Sequence, residues 1–180
     1  MRAIRSAFAT AAVAAALSAF SPLAAQAVTL PTDGSWSEFD FDQTGSALYD
    51  LSSLDTSFTF TLTGNSVLRV VDAGFSGDRF DLFVNGQHLG LTSAPTAQAA
   101  GADPVFDAAA LWQDTHFSKG SWLLGAGTYT LTGHAVLSPY EGGFGYLSVT
   151  AVPEPETFAL LLAGLGLVGV ASRRRVTTQA

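Results

Sequence analysis

Cysteine is absent from this 180-residue chain. That excludes thiolate nucleophiles, thiolate metal sites and disulfide staples, so any folded domain must hold together by packing and backbone pairing. Basic residues are scarce, with eight Lys and Arg against fifteen Asp and Glu. Between Val28 and Thr150, eleven Asp plus Glu38 and Glu141 face only Arg69, Arg79 and Lys119. Nucleic acid and anionic lipid both need a basic patch, so a body of this charge is excluded as a nucleic-acid binder. Motifs of chemistry are lacking too. There is no Gly-x-Ser-x-Gly elbow, and the histidines, His88, His116 and His134, have neither the spacing nor the neighbouring Glu of a zinc motif.

What is present divides into three zones. Met1 to Ala27 carries Arg2 and Arg5, an apolar run over Ala7–Leu17, and small residues at Ala25 and Ala27. A basic start, a short apolar core and a small-x-small ending form a secretory signal peptide, with cleavage expected after Ala27. Residues 28–151 are the only stretch long enough for a core of their own, and fit a single exported domain.

Alternation dominates this middle zone. In Ser57–Thr63 the side chains of Phe58, Phe60 and Leu62 share one face and threonines the other, the pattern of a half-buried strand. Gly64-Asn65 turns the chain into Ser66–Val71, and Asn85-Gly86 joins Arg79–Val84 to Gln87–Leu91 as a hairpin. Trp36–Asp42, Ala47–Leu51, Thr128–Leu137 and Gly143–Val152 complete about eight short strands. The expected fold is an all-β sandwich, with the jelly roll among its forms. Ala94–Gly120 has little strand character and reads as an insertion, with a short helix capped by Asp103 and opened by Pro104.

Candidate ligands are few. Asp72, Asp78 and Asp81 surround Gly74-Phe75-Ser76-Gly77 and are candidate calcium ligands, although the EF-hand spacing is missing and solvated turn carboxylates are the plainer reading. Trp112, alone among the three tryptophans in falling within the insertion, is a candidate glycan platform against the plainer expectation of core packing. No catalytic residues and no cofactor other than calcium are expected.

The last zone, 152–180, begins Val152-Pro153-Glu154-Pro155, continues without charge from Phe158 to Ala171, and closes on Arg173-Arg174-Arg175. Two prolines break the backbone before Pro155 opens a helix expected over about 155–172. Such a helix of about 17 residues is about 26 Å long, slightly less than a hydrocarbon core of about 30 Å, and terminal arginines can snorkel to cover the difference. Export of the body leaves those arginines on the cytoplasmic side, as the positive-inside rule requires.

Box, apolar helix and basic cap, in that order at the chain end, resemble the PEP-CTERM sorting signal. The resemblance implies recognition of Pro153, Glu154 and Pro155 by exosortase, a membrane-embedded cysteine protease, after passage through the export machinery. It implies a Gram-negative host, transient anchoring in the inner membrane, and delivery to the cell envelope, surface or extracellular matrix. The expected function is therefore a non-catalytic exported protein associated with exopolysaccharide or biofilm. A lectin-like, calcium-assisted glycan binder and a polysaccharide hydrolase are the alternatives.

Overall fold

The computed structural model describes residues 27–96, 98, 102–153, 160–165 and 167–168. The expected signal peptide up to Gln26, including Ala25, lies outside the described residues, as do Glu154, Pro155, Arg173, Arg174 and Arg175.

Nine strands form among the described residues: β1 (Val28–Thr29), β2 (Asp33–Phe41), β3 (Phe58–Leu62), β4 (Ser66–Asp72), β5 (Arg79–Val84), β6 (Gln87–Leu91), β7 (Lys119–Leu124), β8 (Gly127–Leu137) and β9 (Gly143–Ala151). One sheet has the order β1-β3-β8-β5-β6 and the other β2-β9-β4-β7. Setting aside the two-residue β1, the orders 3-8-5-6 and 2-9-4-7 are those of a jelly roll. Every pairing is antiparallel except β1 on β3.

The alternating residues meet between the sheets. Phe58, Phe60 and Leu62 are buried, as are Leu68 and Val70 of β4, Phe80 and Leu82 of β5, and Leu147 and Val149 of β9. Phe80 links the layers, lying edge-on to Phe39 at 5.1 Å and to Phe41 at 5.2 Å between ring centroids. Each such side chain contributes about 1.5–3 kcal/mol by leaving water, which answers the absence of disulfides.

Three expectations are corrected. Ala47–Leu51 is not a strand, because Ala47 and Tyr49 make only isolated bridges to His134 and Asp40. Lys119–Leu124 is an edge strand on β4, a pairing that its Gly-Ser interruption conceals. The helix α1 spans Ala108–Gln113 and is capped by Asp107, whose Oδ1 accepts from the amides of Ala109 (2.8 Å) and Ala110 (3.1 Å). Asp103 loses that role because Val105 is extended, exchanging both backbone hydrogen bonds with Gly74 at 2.9 Å.

That bridge pins the insertion to the outer face of the second sheet. There Leu111 and Phe117 bury Val71 and Ala73 in a second small core. β4 is thus covered on both sides, and its last residue, Asp72, follows Leu68 and Val70 on the inward period-two face.

Candidate functional sites

At the end of β4 the chain buries two carboxyl groups together. Asp72 is 0% and Asp78 2% exposed. The loop between them curls so that Asp72 Oδ2 accepts from the amides of Gly77 and Asp78, each at 3.2 Å. Gly74 makes this curl possible: its φ of 75° is left-handed, and a Cβ there would stand 3.2 Å from the Phe144 ring. Asp72 Oδ1 and Asp78 Oδ1 are buried without a hydrogen-bond partner.

Removal from water dominates the electrostatics. Desolvation, reinforced by the neighbouring Asp78 charge, pushes Asp72 up to about 9 despite its amide donors. Desolvation likewise raises Asp78 to about 6, opposed by hydrogen bonds from Ser138 and Asp72. Two adjacent carboxyls in such a site cannot both ionise cheaply, so at neutral pH Asp72 keeps a proton and the pair carries one negative charge. Among the described residues every ion pair within 4.0 Å uses a histidine, and none reaches Asp72 or Asp78.

Asp78 also lines a cavity of about 180 Å³, with Pro104, Phe75, Phe106, Tyr140 and Phe144 around it. Its walls come from three segments distant in sequence: the loop after β4, the pinned insertion, and the turn between β8 and β9. Phe106 stacks on Phe144 at 5.8 Å with planes 9° apart, and its own carbonyl accepts from the Tyr146 hydroxyl at 3.0 Å. Phe75 leans on Tyr140 at 5.7 Å. Periodicity could not find this site, since its parts meet only in the folded chain; the Asp72–Asp78 spacing around a Gly-rich loop was the one sequence trace of it.

The third aspartate goes elsewhere. Asp81 lies on the outer face of the first sheet, where Oδ1 meets His88 Nε2 at 2.6 Å and Oδ2 stands 4.0 Å from His134 Nε2. Phe83 sits beside both imidazoles, at 5.4 Å and 5.8 Å. The structure therefore brings together Asp72 and Asp78 of the candidate calcium set but not Asp81. No cluster of three or more metal-ligating side chains occurs among the described residues.

Trp112 is half-buried on the outer face of the second sheet. Its ring is 6.0 Å from Trp36, with the Arg69 guanidinium at 5.3 Å and the Lys119 ammonium at 5.9 Å. Lys119 Nζ also donates to the carbonyls of Trp112 (2.7 Å) and Asp114 (2.8 Å). Two of the body's three basic residues are thus drawn to this ring, which ties α1 down to β4.

The C-terminal feature starts where the sandwich stops. β9 ends at Ala151, Val152 donates its amide to Asn65 at 2.8 Å, and Pro153 follows at once. Beyond the box, residues 160–165 and 167–168 are helical. Leu160, Leu161, Leu162, Leu165, Leu167 and Val168 are all 60–73% exposed, so they form no part of the domain core. Among the described residues no helix is long and apolar enough to cross a membrane.

The chain is similar to two solved domains. One is the pre-peptidase C-terminal domain of a collagenase from Bacillus anthracis, at 14% identity and a TM-score of 0.37, covering 69% of this chain and 94% of that one. The other is the C-terminal CBM6 of LamC, a marine laminarinase from Zobellia galactanivorans, at 17% identity and a TM-score of 0.35, covering 65% and 100%. No curated protein matches the chain. Residues 151–175 match the family model of the PEP-CTERM protein-sorting motif, and the chain therefore ends in a signal of that family, which implies exosortase recognition and export to the cell envelope or surface.

Proposed function

We propose that this protein is a non-catalytic jelly-roll domain exported from a Gram-negative cell, held briefly in the inner membrane by its C-terminal helix, and released or attached at the surface by exosortase. Extracellular polysaccharide or biofilm matrix is its surroundings. The observation that carries the reading is the junction: the matched motif begins at Ala151, the last residue of β9, and the box opens two residues later. Scission at the box leaves all nine described strands intact, including central β9, which pairs with both β2 and β4.

The exposed leucines support the anchoring step. A helix apolar on every side gains nothing from water and is suited to lipid. Burial of the acidic pair supports the absence of catalysis. A glycosidase needs two carboxyls about 5–9.5 Å apart that both reach substrate, whereas Asp72 is wholly enclosed.

Mass spectrometry of both termini, on protein recovered from outside the native host cell, tests this. The expected mature chain starts at Val28 and ends near Pro153–Pro155. A Glu154→Ala variant should retain its tail and stay with the membrane fraction. Extracellular wild-type protein extending to Ala180 would overturn the reading.

A further inference from the structure

The aromatic cavity is not used by the sorting reading, and its chemistry stands apart from it. Its walls are two ring pairs, Phe75 with Tyr140 and Phe106 with Phe144. Three of these rings are open to solvent, with Phe75 45%, Phe106 61% and Tyr140 58% exposed. A domain that buries Phe39, Phe58, Phe80 and Phe117 almost completely leaves these aromatics at one rim. Set into the same lining is Asp78, 98% withdrawn from water by side chain and backbone yet with Oδ1 unpartnered.

We propose that this cavity binds an alkylammonium group, with the faces of Phe75, Phe106, Tyr140 and Phe144 as its cage and the Asp78 carboxylate as its counter-ion. Aromatic faces carry negative quadrupole charge and attract a cation placed over them, the more so when water is excluded. An ammonium with methyl or methylene substituents fills an apolar space while its diffuse charge meets the rings and the carboxylate. A sugar suits the site less well, because its hydroxyls would meet mostly ring carbon. A bare metal ion suits it less well too: about 180 Å³ accommodates a headgroup of several heavy atoms, and no third ligating side chain joins Asp72 and Asp78 among the described residues. The acidic body draws such a cation from solution.

The groups facing Asp78 set its response to pH. They are Asp72 at the end of β4 and the Ser138 hydroxyl, with Tyr140 of the turn before β9 in the same cavity lining. None of them is cationic. The ligand therefore competes with a proton at Asp78, and binding strengthens as pH rises through about 6.

The test is a titration of the full chain with tetramethylammonium and with choline, followed through the backbone amides of Gly74, Gly142 and Gly143 by NMR. The control is 3,3-dimethylbutan-1-ol, the uncharged isostere of choline. Saturable shifts are expected with both cations, about tenfold tighter for choline than for the isostere. Asp78→Asn should weaken choline by about tenfold, and Phe106→Ala, whose ring is largely outside the core, by about fivefold while the fold persists. Equal binding of the isostere would show a merely greasy pocket and overturn the proposal. So would shifts at these amides with calcium chloride but not with tetramethylammonium, or unchanged choline affinity in folded Asp78→Asn and Phe106→Ala.

Discussion

Replacing Asp72 with Asn probes the buried pair most directly. In the folded chain Asp72 holds its proton up to about pH 9, against an ordinary value of 3.8. The native state thus binds a proton that the unfolded chain has already released. Stability from this group is complete at acid pH and is lost as pH rises toward the folded value. Each unit costs about 1.4 kcal/mol, so from about pH 5 to pH 8 the loss attributable to Asp72 is of order 4 kcal/mol at most. Asn keeps an oxygen to accept from Gly77 and Asp78 but has nothing to titrate. Urea unfolding in phosphate buffer free of amines and divalent cations, repeated at intervals from about pH 5 to 8, measures the difference. Wild type should weaken steadily with rising pH, while Asp72→Asn should show a shallower slope and overtake it near pH 8. Equal slopes, or an Asn variant weaker than wild type at pH 8, would refute the assignment of a retained proton to Asp72.

Two further substitutions test the packing. Phe80→Ala removes the ring that joins Phe39 and Phe41 across the sandwich and should cost about 3–5 kcal/mol, read as a lower urea midpoint with activity of the sorting tail unaffected. Gly145→Ala would place a methyl 2.4 Å from Phe39 Cζ and 2.6 Å from the Val71 carbonyl oxygen, in a central strand that cannot shift freely. A loss of about 1–3 kcal/mol or more in thermal or urea unfolding is expected, and a neutral outcome would mean that β9 and Phe39 are less tightly packed than described.

Much was legible in the chain itself because its signals are local. Alternation in Ser57–Thr63 gives β3, Asn85-Gly86 gives the β5–β6 hairpin, and the box with its apolar run gives the sorting motif, since short-range periodicity and turn chemistry require no distant partner. The signal could mislead where a distant partner decides. Ala47–Leu51 has strand composition but reaches only isolated bridges, while Lys119–Leu124 lacks it and becomes a strand because β4 offers an open edge. Asp103-Pro104 has the chemistry of a helix start, yet the Val105–Gly74 bridge holds that segment extended and passes the cap to Asp107. Only the tertiary structure could separate the aspartates. Asp72 and Asp78 close on each other because a left-handed glycine turns the loop inward, while Asp81, three residues on, faces the other side of the sandwich and meets His88. Sequence spacing fixes which face of a strand a carboxyl takes, but its charge state depends on how much water and which neighbours the folded chain leaves around it.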